Sequence, residues 1–367
     1  MAESNLTHPT YKFVEEKDAD AIAWAFVDKE NMKRILFKFP ELKPNEIRVK
    51  ITYTGLCQGD AQSVRGEWGS CNYPIAPGHE IVGRVTHIGS EVKDFKIGDK
   101  VGQGFQRDSC KTCEYCTSNK EQICKNNNDQ NYTKGYKYWG GFATAIQNPH
   151  DFFFKIPDSL PEERVPPLFC AGVTTYNPIA RYAKKGDNVA ILGIGGLGHL
   201  AVQYAKAWEC NVTAFTSTKD KEEFIKKLGA NQVVLNNPET LKTEAGKFQL
   251  VINTLPAGDN LTSLVSLTKP LGTFVQIGLP DFATPMKFNP APLIFGHINF
   301  TGTMVGSRQD IRDMLEFSAK HNITPLCEQF DFEEFPNAYD TLLHGRPKFR
   351  CVVNATHAGL KHSHMNN

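Results

Sequence analysis

The glycine run GIGGLG at 193–198 does most to limit what this chain can fold into. It follows NVAIL (Asn188 to Leu192), an apolar run without alternation that suits a strand buried on both faces. After it, Leu197, Leu200, Ala201, Tyr204, Ala205 and Trp208 recur at helical spacing, the stripe of a helix lying on a sheet. A buried strand that enters such a helix through Gly193, Gly195, Gly196, Leu197 and Gly198 provides the context a dinucleotide phosphate loop needs. The glycines let the backbone turn tightly and approach a pyrophosphate, and the helix N-terminus supplies amide donors and positive dipole. NVTAFT then reads as a second strand, Lys219 to Leu228 as a helix, FQLVINT as a strand, the region near Leu261 to Leu267 as a helix, and GTFVQIGL as a strand. This alternation predicts an α/β fold built on a doubly wound parallel sheet.

The end of the second strand decides which dinucleotide suits the loop. NAD sites carry an acidic side chain about 20 residues past the glycines, where it holds the ribose 2′-hydroxyl. Here the chain reads FTSTKDK: Thr216, Ser217 and Thr218 offer hydroxyls, and Lys219 or Lys221 a cation. A 2′-phosphate is welcome there, and Asp220 falls in a register expected to start the next helix. NADP(H) is therefore favoured over NAD.

At 367 residues the chain fits about two domains. Its first third is rich in short β-like runs broken by Gly and Pro (IRVKITYTG, HEIVGRVTHIG, KIGDKVGQG), which predicts a compact, mostly antiparallel barrel-like domain. Near the C-terminus, Ser307 with Asp310 forms a capping-box pattern that opens a helix through Lys320, FRCVVN reads as a strand, and the end of the chain, with His357, His362 and His364, reads as a solvated tail. A net charge of +1 leaves no basic field for phosphate backbones, so nucleic acid is not an expected partner. No apolar run approaches the ~18 residues of a bilayer span, so no membrane partner is expected either, and the start lacks a signal-like pattern. Ten cysteines in such a chain are expected to stay reduced, in the cytoplasm.

Four of those cysteines, Cys110, Cys113, Cys116 and Cys124, crowd into one short segment. Their C-x2-C-x2-C-x7-C spacing supplies enough soft ligands for a closed tetrahedral thiolate site, with zinc preferred over an iron–sulfur cluster because the ferredoxin continuation x3-C-P is missing. A closed site has no place for substrate and staples its loop. A second, dispersed set comprises Cys57, His79 with Glu80, and Cys170. Two thiolates and an imidazole leave one tetrahedral position open, the arrangement of a catalytic zinc. Spacing alone does not join residues so far apart, and His79 by itself reads equally as a core or turn histidine.

The join comes from a resemblance. GLCQGD, YPIAPGHEIVGRV, CKTCEYC, GGFAT, CAGVTTY, GIGGLGHLAVQYAKA and TSTKDK, spread from about Trp24 to Asn354, are similar to the zinc-containing medium-chain alcohol dehydrogenases, and most to their cinnamyl alcohol dehydrogenase branch. The resemblance implies a GroES-like catalytic domain over 1–164 resumed over 302–357, an NADP-binding Rossmann domain over 165–301, a tail over 358–367, and a cleft between the domains. It implies two zinc ions per chain: a structural one on Cys110, Cys113, Cys116 and Cys124, and a catalytic one on Cys57, His79 and Cys170 with Glu80 as an exchangeable fourth ligand. Asp60 is then the carboxylate that orients His79. Thr174, Thr254, Gly278, Thr303, Met304 and Val305 match positions that line the cofactor, and homodimers through the Rossmann domain are usual in that branch.

One departure stands out. The family carries Ser or Thr two residues after the first catalytic cysteine and a histidine further along, which together relay the alcohol proton; this chain has Gly59 and Gln62. Neither side chain can relay a proton. A water chain, or a backbone route through the space Gly59 leaves, is the expected substitute. The implied activity is hydride transfer between NADP(H) and an aldehyde/primary alcohol pair, with reduction of an activated C=C or C=N bond as one alternative and a non-catalytic zinc- and NADP-binding scaffold as another. The polar KNNNDQ after Cys124 suits a phenyl ring poorly, so Tyr136, Tyr138 and Trp139 are candidates to hold one, or else ordinary surface or core aromatics.

Overall fold

The computed structural model describes residues 6–126, 137–256, 260–284, 286–345 and 347–359. The chain divides into two compact units, one formed by Met1–Cys170, Ser307–Leu315 and Leu326–Asn367, the other by Ala171–Gly306 and Glu316–Pro325.

The second unit is built on a six-stranded sheet in the spatial order Gln232–Leu235, Asn211–Thr216, Asn188–Leu192, Phe248–Asn253, Thr268–Gln276, Asn299–Gly302. Every pairing is parallel. Numbered along the chain, this is the doubly wound order 3-2-1-4-5-6, with its switch point between Asn188–Leu192 and Phe248–Asn253. Val189, Ala190, Ile191 and Leu192 are fully buried, as a strand covered on both faces requires. The helix Gly198–Ala207 lays Leu200, Ala201, Tyr204 and Ala205 into the core, whereas Leu197 and Trp208 cap its two ends half-buried. The next helix starts at Glu222 instead of Lys219, after a turn in which Glu222 N donates to the Lys219 carbonyl at 3.0 Å. Two short parallel strands, Gln232–Leu235 and Asn299–Gly302, escape the sequence reading because each lies at a sheet edge, only partly buried.

The first unit holds a seven-stranded, mostly antiparallel sheet centred on Glu46–Leu56, which pairs with Ile81–Ile88, Ala145–Pro149 and Arg350–Asn354. Arg350–Asn354 in turn pairs in parallel with Cys327–Asp331. Trp139 lies in this unit's core, 2% exposed, with ring centroids 5.1–5.6 Å from those of Tyr11, Phe13 and Phe37 and its indole N–H donated to the Pro74 carbonyl. It is a packing residue, unavailable to a substrate ring. Tyr138 stacks under the buried Arg107 guanidinium. Tyr136, most of the KNNNDQ run, and His362 and His364 of the tail lie outside the described residues. The helix Arg308–His321 begins with the reciprocal cap: Ser307 N donates to Asp310 Oδ2 at 2.8 Å and Asp310 N to Ser307 Oγ at 3.0 Å. Among the described residues no helix is long and apolar enough to cross a membrane.

Candidate metal centre

Cys57 closes the Glu46–Leu56 strand and caps the short helix Gln58–Val64. Its Sγ accepts from Gly59 N at 3.4 Å, while Cys57 N donates to Asp60 Oδ2 at 3.1 Å, so the cap itself fixes both the thiol and the carboxylate. Asp60, fully buried, uses its other oxygen twice: Oδ1 accepts from Gly78 N at 3.0 Å and meets His79 Nδ1 at 2.8 Å. A proton held on Nδ1 leaves the Nε2 lone pair for the far side of the ring. There, Nε2 lies 3.2 Å from Cys170 Sγ, and Cys170 Sγ lies 4.0 Å from Cys57 Sγ. One ligand-type atom from each of Cys57, His79, Glu80 and Cys170 falls within 4.8 Å of all the others.

Glu80 is completely buried and pairs through Oε1 with the guanidinium of Arg350, itself 6% exposed. Its Oε2 has no hydrogen-bond partner. An orphaned carboxylate oxygen beside two thiols and an imidazole is the donor set a divalent cation satisfies. The electrostatics agree. The hydrogen bond from Cys170 holds the Cys57 thiol well below its usual range against desolvation, and Cys170 is raised correspondingly as the proton-bearing partner. Burial lowers the His79 imidazole, but the charges of Asp60 and Cys57 outweigh it and raise the group well above its usual range. A metal ion there would take the place of the protons that these thiols and the imidazole share. Arg350 escapes the sequence reading; its only signal is a cation inside the strand-like FRCVVN.

The four clustered cysteines form a second thiol group. Sγ–Sγ separations of 3.8 Å (Cys110–Cys116), 3.5 Å (Cys113–Cys116) and 3.9 Å (Cys113–Cys124) match the ~3.8 Å edge of a tetrahedron with Zn–S near ~2.3 Å. The Thr112 backbone hydrogen bond, with a further one from Cys113, outweighs desolvation and brings Cys110 down to about 5, ready to ligate as thiolate.

In the other unit, the expected cofactor residues gather at the carboxyl ends of the parallel strands. Gly193 follows Asn188–Leu192, Thr216 ends Asn211–Thr216, Thr254 follows Phe248–Asn253, Gly278 follows Thr268–Gln276, and Thr303 follows Asn299–Gly302. Thr254 Oγ1 lies 2.9 Å from both the Leu192 and the Gly193 carbonyl oxygens, tying the glycine loop to the neighbouring strand at the switch point. A Cβ on Gly198 would overlap the Gly193 carbonyl oxygen, whereas one on Gly195, which is exposed, would meet nothing within 4 Å. The loop thus needs glycine at 198 for its own packing and leaves room at 195 for something to lie against the backbone. Gly196 and Leu197 are half-buried beside it. Gln276 Nε2 donates to the Gly278 carbonyl at 2.6 Å, and Thr303 N to Gln276 O at 3.3 Å. Thr174 Oγ1 accepts from Val305 N at 3.1 Å, and Met304 is 51% exposed. Thr216 is buried, while Ser217, Thr218 and Lys221 are exposed; hydroxyls and a cation at that strand end fit a ribose 2′-phosphate.

The position two residues after Cys57 is not open space. A Cβ on Gly59 would sit 3.2 and 3.3 Å from the Cη2 and Cζ3 atoms of Trp68 and 3.7 Å from Cys57 Sγ. The indole ring of Trp68 therefore lies beside the position from which the family's hydroxyl is missing.

Residues 43–158 match the alcohol dehydrogenase GroES-like domain and residues 196–320 the zinc-binding dehydrogenase domain. An NADP-dependent alcohol dehydrogenase C of Mycolicibacterium smegmatis is 38% identical over 85% of this chain and 90% of its own length. A cinnamyl alcohol dehydrogenase of Sorghum bicolor has the same fold (TM-score 0.86, 33% identity, 93% of this chain and 99% of that one). CAD from Helicobacter pylori, solved in complex with NADP(H), is similar too (TM-score 0.83, 29% identity, 92% and 99% covered). With both domain matches, that identity and a thiol–imidazole–carboxylate cluster in place, the chain belongs to the zinc-containing medium-chain alcohol dehydrogenases, in the branch of the cinnamyl alcohol dehydrogenases.

Proposed function

We propose that this protein is an NADP(H)-dependent, zinc-dependent oxidoreductase that interconverts aldehydes and primary alcohols. The observation that carries the reading is the convergence of Cys57, His79 and Cys170 beside the partnerless Oε2 of Glu80. When bound, zinc supplies Lewis acidity toward a carbonyl oxygen and the reduced nicotinamide supplies hydride. Cys57, His79 and Cys170 would hold the catalytic ion, with Glu80 in reserve, and the four clustered cysteines the structural one. The chain's own residues do the rest. Asp60 keeps the His79 Nε2 lone pair aimed inward, the Gly59 amide steadies the Cys57 thiolate, and Arg350 anchors Glu80 by one oxygen while leaving the other able to ligate. Gly195, Ser217, Thr218 and Lys221 would receive the pyrophosphate and 2′-phosphate, and Thr174, Thr254, Gly278 and Thr303–Val305 would line the cofactor.

The relatives named above support this substrate class. Purified protein supplied with NADPH and a panel of aldehydes is expected to consume NADPH, and Cys57→Ser or Cys170→Ser to abolish turnover without unfolding the chain. A second reading, reduction of an activated C=C or C=N bond, is favoured by one observation, the missing side-chain hydroxyl at Gly59. An enal separates the two, since carbonyl reduction gives an allylic alcohol and alkene reduction a saturated aldehyde; absence of both products sinks the enzymatic reading.

A homodimer through the nucleotide-binding unit is part of the proposal. It is supported by the edge strand Asn299–Gly302 and by exposed Leu279, Phe282, Ile294 and Phe295 shortly before it in sequence. A cytoplasmic location is supported by ten cysteines of which none is joined in a disulfide.

A further inference from the structure

Val305 has its backbone in the left-handed region, at φ 45, where a β-branched residue is an outlier. Its side chain is buried all the same, so the position combines the bulk of valine with a conformation that suits glycine. Two buried side chains three residues apart on the helix Ala171–Tyr182 hold its peptide groups. Thr174 Oγ1 accepts from Val305 N at 3.1 Å, and Asn177 Nδ2 donates to the Val305 carbonyl oxygen at 3.3 Å. A strained backbone persists only where its surroundings over-determine it, and such strain gathers at ligand clamps. Val305 ends the run that follows Asn299–Gly302, the sixth strand in the order 3-2-1-4-5-6. In a doubly wound sheet each half holds one nucleotide. The glycine loop and the Thr216–Lys221 segment belong to the half formed by Asn188–Leu192, Asn211–Thr216 and Gln232–Leu235, which leaves the half that carries Val305 to the nicotinamide.

We propose that Asn177 is a positioning residue for the nicotinamide end of the cofactor site: with Thr174 it holds Val305 left-handed and so fixes the course of the Thr303–Val305 backbone there. Without the amide donor, the Val305 peptide turns toward the conformations a valine prefers, and the backbone groups of this run leave their places. Glycine at 305 has no such preference and keeps the left-handed turn unaided. The inference rests on the reading of this unit as an NADP(H) site. Thr174 and Val305 belong to that reading from the sequence onward, whereas Asn177 joins it through a tertiary contact across 128 residues.

The test is a double-mutant cycle of Asn177→Leu and Val305→Gly in the full, zinc-loaded chain. It is read by calorimetric titration with NADPH and with adenosine 2′,5′-bisphosphate, which lacks the nicotinamide half. Leucine keeps the outline of asparagine and removes its donor; Asn177→Ala takes its place should leucine fail to fold. Alone, Asn177→Leu raises the NADPH Kd by about tenfold and leaves that of the bisphosphate within about a factor of two. In the Val305→Gly background the same substitution changes the NADPH Kd by about twofold or less. The Asn177 bond is made to a backbone carbonyl that glycine retains, and the glycine backbone no longer needs it. Equal fold losses for both ligands, or equal losses with and without Val305→Gly, overturn the inference and leave the NADP(H) site standing. An unchanged NADPH Kd in Asn177→Leu does the same. A parent that binds neither NADPH nor the bisphosphate sinks the function proposed above, and the inference with it.

Discussion

Asp60→Asn isolates the device that organises the metal centre. The carboxylate accepts three hydrogen bonds with two oxygens, from Cys57 N on Oδ2 and from Gly78 N and His79 Nδ1 on Oδ1. An amide of the same shape has one acceptor and one donor. If its oxygen takes the Oδ1 place, its NH2 faces the Cys57 N–H, donor against donor, at the residue that supplies the first thiol. If its NH2 takes that place, Gly78 N–H is orphaned and His79 must accept at Nδ1, which moves the ring proton to Nε2 and turns it toward Cys170. Each arrangement leaves at least one buried donor unmatched, a cost of about 1–3 kcal/mol in stability. The second also removes the lone pair a metal needs. Loss of a carboxylate that orients a ligating histidine lowers metal affinity about 10–100-fold, or ~1.4–2.7 kcal/mol. The assay is competition for zinc against a chromophoric chelator, read beside a urea unfolding curve. Zinc affinity within a factor of two of the parent would refute the claim that Asp60 governs the His79 tautomer.

Three further outcomes are expected. Gly198→Ala drives a methyl into the Gly193 carbonyl oxygen, and the loop must open; stability falls by about 1–3 kcal/mol and NADP(H) binding weakens in a fluorescence titration, with unchanged binding refuting the phosphate-loop assignment. Cys116→Ser removes one corner of the closed thiol cluster; elemental analysis is expected to drop from two zinc per chain to one, with a stability loss of about 4 kcal/mol or more, and two zinc retained would refute the assignment. Burial raises the Asp151 carboxyl, but its ion pair with Lys111, with His150 and Arg308 nearby, pulls it below its usual 3.8. Because the folded value is depressed, the pair's contribution is present above about 3.8 and is lost as pH falls through the folded value. The difference in urea midpoint between parent and Asp151→Asn should therefore shrink from about pH 6 to pH 3, and a constant difference would show that the ion pair contributes nothing to acid stability.

What could be read from the residues alone was whatever depends on neighbours in the chain. The four cysteines from Cys110 to Cys124 come together by local turns, helped by the left-handed backbone of Lys111 at φ 60, so their spacing already carries the geometry. The glycine loop is equally local: strand, turn and helix are contiguous, and the need for glycine at 198 arises from a carbonyl five residues earlier. Strands buried on both faces declared themselves by composition. The edge strands, half-buried and short, did not, and the Lys219–Lys221 segment, read as helix, is the turn that precedes it.

The catalytic cluster is of the other kind. Cys57 and Cys170 stand 113 residues apart, and His79 lies 91 from Cys170; only the pairing of strands from distant segments brings their ligand atoms within 4.8 Å. Glu80 is held by Arg350 across 270 residues, and no pattern near either one predicts the other. Trp139 followed the same logic in reverse, since its place in the core was decided by Tyr11, Phe13 and Phe37 from the far N-terminal segment. Gly59 could be seen as a departure in the sequence, but the indole ring beside it could not. Composition and period express what each residue does with its near neighbours, whereas the approach of a ring nine positions on to the Cβ position of a glycine is a matter of packing, which exists only once the chain has closed on itself.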